Sequence, residues 1–133
     1  LVEGAGGLMV PINEKSLMID LISDLGYPVL LIARSRLGTL NHTLLSLGTL
    51  QQRDIEVLGI IVSFSESIGG PEEEFVVSDL KRFSGEVPVW NLPYLHKELR
   101  EDPVKLAESL ARSVPQATLE RWFGTGGLHE KAE

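Results

Sequence analysis

The 133-residue chain contains no cysteine. That absence excludes disulfide bonds, thiolate zinc sites and a cysteine nucleophile, and it agrees with a reducing compartment. Long apolar runs are also lacking: none reaches the ~18 residues that cross a bilayer, so no membrane partner is expected. Positive charge is scarce and scattered. Lys and Arg number 12 against 19 Asp and Glu, giving a formal net charge of −7. The densest cationic cluster, Arg34-Ser35-Arg36, carries only two charges, so no nucleic-acid partner is expected. There is no signal-peptide pattern, and a cytoplasmic location is the default expectation. The chain opens at Leu1 and not at a methionine. Its start reads as a cut through a larger protein, because a chain beginning inside a strand would expose unpaired backbone.

Apolar residues make up 43% of the chain, enough for the core of one domain. The segment Leu1-Val2-Glu3-Gly4-Ala5-Gly6-Gly7 puts a carboxylate and a glycine turn directly after a strand end closed by Val2. A carboxylate so placed can hold Mg²⁺, and glycines let backbone N–H groups approach an anion. A lone Glu before Gly can equally be a surface turn acid.

Further along, strands and helices alternate. Asn13 to Ser16 carry helix-start residues, and Leu17, Met18, Leu21, Ile22 and Leu25 mark an amphipathic helix that stops at Gly26. The run Pro28–Ala33 (PVLLIA) reads as a strand buried on both faces. A helix is predicted from Thr39 to about Arg53, with Leu40, Leu44, Leu47 and Leu50 inward and a close helix contact at Gly48. Glu56–Phe64 is the next buried strand and Ser65–Pro71 a loop. Glu72–Phe83 is predicted as a helix with Phe75, Val76, Leu80 and Phe83 inward. Val87–Leu92 is a short strand in which Pro88 marks a sheet edge or strand start. Asp102-Pro103 is an N-cap and N1 pair opening a helix through Arg112. Residues 1–114 read as one α/β domain with a mostly parallel sheet and helices on both faces, and 115–133 as a tail that is partly helical or disordered.

Ligands of such sheets sit beyond the carboxyl ends of the strands. After the second strand comes Leu37-Gly38-Thr39-Leu40-Asn41-His42-Thr43, where Thr39 suits an N-cap and the first-turn N–H groups suit an anion. An ordinary capped helix explains the same residues. Arg34 and Arg36 can steer an anion or stand as solvated loop charges. His42 reads as structural, since His96 and His129 lie too far along the chain to suggest a metal triad. The acids Glu72-Glu73-Glu74 suit a solvated helix start. Trp90, Pro93 and Tyr94 can wall a slot for a planar base or serve edge packing.

Taken together, VEGAGG, PVLLIARSRLGTLNHTLL and VLGIIVS at this spacing resemble the dethiobiotin synthetase family, over about Leu1 to Leu95. The Gly38–Thr43 string at its distance from Glu3 carries the specificity. The resemblance implies a three-layer P-loop NTPase-like (Rossmann-like) fold and a homodimer that uses Mg²⁺ and ATP as substrate. It implies carboxylation of 7,8-diaminopelargonate with CO₂, activation of the carbamate by the ATP γ-phosphate, and ring closure to dethiobiotin. On this resemblance Glu3 is the Mg²⁺ ligand, and Glu3, Gly4, Ala5 and Gly6 line the phosphate side, with Gly6 also facing substrate. Gly38, Thr39, Leu40 and Asn41 receive the substrate carboxylate across the dimer interface, and Pro93, Tyr94 and Leu95 hold the adenine.

Two departures stand out. The family's phosphate loop, catalytic lysines and second metal-binding aspartate lie before the VEGAGG strand. No G-x-x-x-x-G-K-[ST] occurs in the 133 residues, so no catalytic residue is assigned here and the chain is expected to be inactive alone. The family's adenine-reading Asn is replaced by Ser63, followed by Phe64, which leaves base selection to backbone or to Phe64 stacking. Two other readings remain: a cobyrinate-type amidating ligase of the same P-loop group, and a non-enzymatic dimerisation or regulatory module.

Overall fold

A computed structural model describes residues 1–4, 6–64 and 71–124, the side chains of 71–74 excepted. Its elements are α1 (Met18–Leu25), β1 (Val29–Arg34), α2 (Thr39–Gln52), β2 (Val57–Ser63), α3 (Pro71–Phe83), β3 (Val89–Leu92), α4 (Lys97–Arg100), α5 (Pro103–Ser113) and α6 (Gln116–Phe123). The three strands form a parallel sheet in the order β1-β2-β3. Each strand pair is joined by a helix, the connection that parallel neighbours require.

The alternation of β2 divides the core. Ile60 and Val62 point to one face and pack with Ala33, Leu47, Phe64, Leu80 and Val89, beneath α2 and α3. Ile61 points to the other face and packs with Val114, Leu119, Leu110 and Trp122, beneath α5 and α6. Helices therefore cover both faces, which is why β2 reads as an unbroken apolar run. The α/β class and parallel sheet expected from the sequence are what the structure contains.

Local signals place several boundaries. Gly26 closes α1 at φ 64°, donating its N–H to Ile22 and Ser23 carbonyls. At the other end of α1, the Asp20 carboxylate accepts the Leu17 N–H at 2.8 Å. Asp102 caps α5 as the sequence indicates, accepting the N–H groups of Val104 and Lys105 at 3.0 and 3.2 Å. Pro88 lies just before β3, where only its carbonyl is needed; Ile60 N–H donates to it at 2.9 Å.

Several expectations are corrected. Val2 does not close a strand: it is 64% exposed and residues 1–4 have no regular structure. A strand exists only where a neighbour satisfies its backbone groups, and the described residues provide none for 1–4. Nor is β1 buried on both faces, since Ile32 is 63% exposed at the edge of the described sheet. In α1 the fully buried residue is Ile19, while Leu21 and Leu25 face solvent. In α3, Leu80, Val76 and Val77 pack inward, whereas Phe75 and Phe83 are exposed. Among the described residues nothing lies within 4 Å of a Cβ placed on Gly48, so they do not supply the helix contact expected there. The loop 65–70 and residues 125–133 lie outside the described residues.

Candidate functional site

Because the strands are parallel and in register, their carboxyl ends share one edge: Arg34 lies opposite Ser63, and Ser63 opposite Leu92. From the β1 end of that edge an open cleft of about 400 Å³ runs along the Leu31–Ala33 stretch of β1 and is lined also by Gly6, Gly7, Arg34, Arg36, Leu37, Thr39, His42, Thr43 and Ser46. Two arginines and a histidine line it, and no carboxylate does among the described residues. Such a lining attracts an anion.

The turn from β1 into α2 places the donors. The N-cap is Gly38, at φ 90°, and not Thr39 as the sequence suggests. Thr39 is already helical, and its N–H donates to the Arg36 carbonyl at 3.0 Å. The first-turn N–H groups left for a ligand among the described residues are those of Leu40 and Asn41, since His42 N–H closes onto Gly38 O at 3.0 Å. Leu40 directs its side chain into the core, so only its backbone can serve a ligand. Thr39 and Thr43 are each 6% exposed and line the cleft. Neither hydroxyl has a hydrogen-bond partner among the described residues.

On the glycine-rich side, Gly6 reaches the cleft at φ 90°, and Gly7 follows it. Gly4 is held differently: a Cβ there would lie 3.1 Å from Met18 Sδ, so α1 packs directly against this backbone. Glu3 is exposed beside it. Ala5 lies outside the described residues. Among the described residues no group of three His, Cys, Asp or Glu side chains is gathered for a metal. A single accessible carboxylate nonetheless fits Mg²⁺, which takes hard oxygen donors and is held by one or two carboxylates plus phosphate and water.

α1 is anchored by a long-range pair. Arg53, just past α2, donates from Nη1 to Asp20 Oδ1 at 2.6 Å. The Leu17 N–H and then the Arg53 guanidinium hold the Asp20 carboxyl below the usual carboxylate range.

At the far end of the same edge, Pro93-Tyr94-Leu95 leave β3 beside Ser63. Tyr94 is half-buried against the core and meets the His96 ring edge-on at 5.2 Å, with the Arg100 guanidinium 5.7 Å from its centroid. Pro93 is exposed and Leu95 half-buried. Phe64 is 5% exposed within the core cluster, and its N–H donates to Leu92 O at 3.0 Å. Its ring is therefore a packing element, which corrects the expectation of Phe64 stacking on a base. Gly6 and the Gly38–Asn41 turn come together at one cleft, whereas Ser63 and Pro93–Leu95 stand further along the edge. Arg34, Arg36, His42, Thr43 and Ser46 were not assigned to the site from sequence. The i, i+4 spacing of Thr39 and Thr43, placed just after a strand end, is the signal that could have found the hydroxyls.

A parallel sheet sandwiched by helices, with its ligand-facing glycines and helix N-terminus at the strand carboxyl ends, defines an α/β domain of the P-loop NTPase type. The chain belongs to the family described as AAA domain, whose profile matches residues 1–100. It is similar to the biotin biosynthesis bifunctional protein BioCD of Bordetella avium, with 54% identity over 89 residues, 67% of this chain and 18% of that protein. It is similar to the ATP-dependent dethiobiotin synthetase BioD of Lawsonia intracellularis, with 57% identity over 63 residues, 47% of this chain and 31% of that protein. The enzyme of the same name from Thermodesulfovibrio yellowstonii is 44% identical over 112 residues, 78% of this chain and 46% of that protein. The resemblance to dethiobiotin synthetases is thus borne out, and the chain spans less than half the length of each of these relatives.

Proposed function

We propose that this chain forms the substrate-carboxylate and adenine side of an ATP- and Mg²⁺-dependent dethiobiotin synthetase. One observation carries the reading: the free first-turn N–H groups of α2 open into a cleft shared with Gly6, Arg34 and Arg36 and free of acids among the described residues. Relatives named dethiobiotin synthetase support it. The substrate is 7,8-diaminopelargonate, whose carboxylate accepts from Leu40 and Asn41, with Gly38 leaving room and Thr39 adding a hydroxyl. Arg34 supplies long-range attraction.

One amine of the substrate takes up CO₂ to form a carbamate. A carbamate oxygen then bonds to the ATP γ-phosphorus as the bond to ADP breaks, giving a mixed anhydride. The second amine attacks the carbonyl carbon, loses its proton and expels phosphate, closing the ureido ring. Mg²⁺, when held by Glu3, neutralises phosphate charge. Pro93, Tyr94 and Leu95, with Ser63 beside them, border the adenine. Gly4 and Gly6, with Ala5 between them, line the phosphate side.

The phosphate loop that phosphoryl transfer requires is not among these 133 residues, so this chain is inactive alone. The active enzyme is a homodimer, with each α2 N-terminus presented to the partner's site. The exposed apolar side chains of Leu37 (105%) and Leu45 (63%) around that turn suit such an interface. A cytoplasmic location accords with a chain whose described residues hold no helix long and apolar enough to cross a membrane.

Titration of 7,8-diaminopelargonate into the ¹⁵N-labelled chain tests the reading. Saturable amide shifts centred on Leu40 and Asn41 are expected. Shifts spread evenly over the surface, or none, overturn it.

A further inference from the structure

We propose that His42 is a positioning residue for carboxylate binding, holding the Gly38 turn in shape through its ring; this rests on the substrate reading above. A Cβ placed on Gly38 would lie 3.2 Å from His42 Cε1 and 3.7 Å from both ring nitrogens. The Cε1 edge of the imidazole therefore stands close to where a side chain on Gly38 would project, with Nδ1 and Nε2 equidistant from that point. The two residues are one helical turn apart, the spacing at which side chains cover the turn before them.

That contact adds side-chain support to a turn otherwise shaped by backbone bonds, Thr39 N–H to Arg36 O and His42 N–H to Gly38 O, both at 3.0 Å. Gly38 makes no side-chain cap hydrogen bond, and no acid lies in the first turn of α2. Leu37, just before it, is fully exposed and covers nothing among the described residues. Glycine at φ 90° has many other conformations open to it. A frayed first turn would scatter the Leu40 and Asn41 N–H groups that must converge on one anion. The ring edge on Gly38, the His42 N–H bond to Gly38 O and the Thr39 N–H bond to Arg36 O restrain this point. Thr39 and Thr43, each 6% exposed, line the same cleft, so this turn borders an open space. His42 lines the same space, so its ring both braces the turn and borders the site.

The test compares the wild-type chain with His42→Ala and His42→Phe, each titrated with 7,8-diaminopelargonate and followed at the Leu40 and Asn41 amides. His42→Ala should weaken binding by about tenfold, and His42→Phe, which restores a ring edge, should recover to within about threefold of wild type. Equal binding by His42→Ala, or a Phe variant as weak as the Ala variant, overturns the proposal alone. Absence of shifts in the wild type overturns the substrate reading and this proposal with it. A ligand-free check uses Gly38→Ala in both backgrounds. Its destabilisation in urea should be smaller when His42 is already Ala, and strictly additive costs refute the ring contact.

Discussion

Two hollows of similar size, about 400 Å³ each, lie at opposite ends of the sheet, one toward the carboxyl end of β1 and one at the amino ends of β2 and β3, and differ in nearly everything else. The cleft at the carboxyl ends is lined by Gly6, Gly7, Arg34, Arg36, His42 and hydroxyl groups. The hollow at the amino ends is lined by Trp90, Trp122, Pro88, Val57 and Leu58, with Glu56 and Arg121 3.8 Å apart on it. The tryptophan rings meet edge-on at 5.3 Å, an attractive arrangement for two aromatic quadrupoles. Volume does not distinguish the two ends; the direction of the helices does. In a parallel sheet with helical crossovers every strand carboxyl end faces a helix N-terminus, where backbone N–H groups point outward. At the opposite end the first turn of α6 lines the hollow through Ala117 and Thr118, but the Thr118 N–H already donates to Pro115 O at 2.9 Å, the charges of Glu56 and Arg121 are paired, and the wall is aromatic packing. The first end is suited to hold an anion and the second to hold the domain together.

Variants can break this division, and the largest effect is expected at the aromatic end. A Cβ at Gly59 would overlap the Trp90 ring and approach the Pro88 carbonyl at 3.2 Å, and the strand has nowhere to move. Gly59→Ala should cost about 2 to 3 kcal/mol by overpacking, read as a lower urea midpoint. If the two ends are independent, the folded variant still binds 7,8-diaminopelargonate like the wild type. At the carboxyl end the expected effect is smaller and appears in binding, not in stability. Arg34 is an exposed cation on the cleft wall, so Arg34→Ala should weaken the same ligand by about threefold to tenfold while the urea midpoint stays within error. Raising the salt concentration should narrow the gap between the two proteins, because exposed charges are screened.

The smallest effect belongs to Asp20, whose pair with Arg53 ties α1 to the end of α2. Its folded carboxyl titrates below the usual range, first through the Leu17 N–H and then through Arg53. The unfolded chain thus takes up the proton at higher pH than the folded one. The associated stability is complete above the ordinary carboxylate pKa, declines as pH falls from there, and is gone below the folded value. Asp20→Asn should remove a shallow acid-side slope from the urea midpoint between about pH 5 and pH 3, because the variant is slightly less stable at neutral pH and equal to the wild type at low pH. An identical slope in the variant would show that other groups produce it. Since Met18 of α1 packs on Gly4, the variant also reports whether the glycine edge depends on this tie.

Much of the fold was legible because its signals are local. The apolar run of β2, the glycine that ends α1 and the Asp102-Pro103 start of α5 each act over a few residues. The turn proposed to bind an anion was legible in its place but not in its detail. Thr39 looked like the cap, yet its side chain is 6% exposed while Gly38 takes the left-handed cap conformation. Burial of Thr39 against the core outweighed its own capping preference. Phe64 looked available to a base for want of any knowledge of what packs on it, and its ring proved to lie among Leu47, Leu80 and Val89. Ile32 shows the reverse, an apolar residue of a core-like run left open at a sheet edge.

The sequence by itself determined most of the element types, the parallel sheet and the strand edge that carries the proposed anion site, because periodicity, glycine punctuation and strand–helix alternation are read over short stretches. The tertiary structure alone decided which side chains meet there. The reach of Gly6 toward Arg34, the approach of His42 to Gly38 and the reach of Arg53 to Asp20 across 33 residues depend on how helices settle on a twisted sheet. That settling is set by the packing of the whole core, which no local pattern encodes.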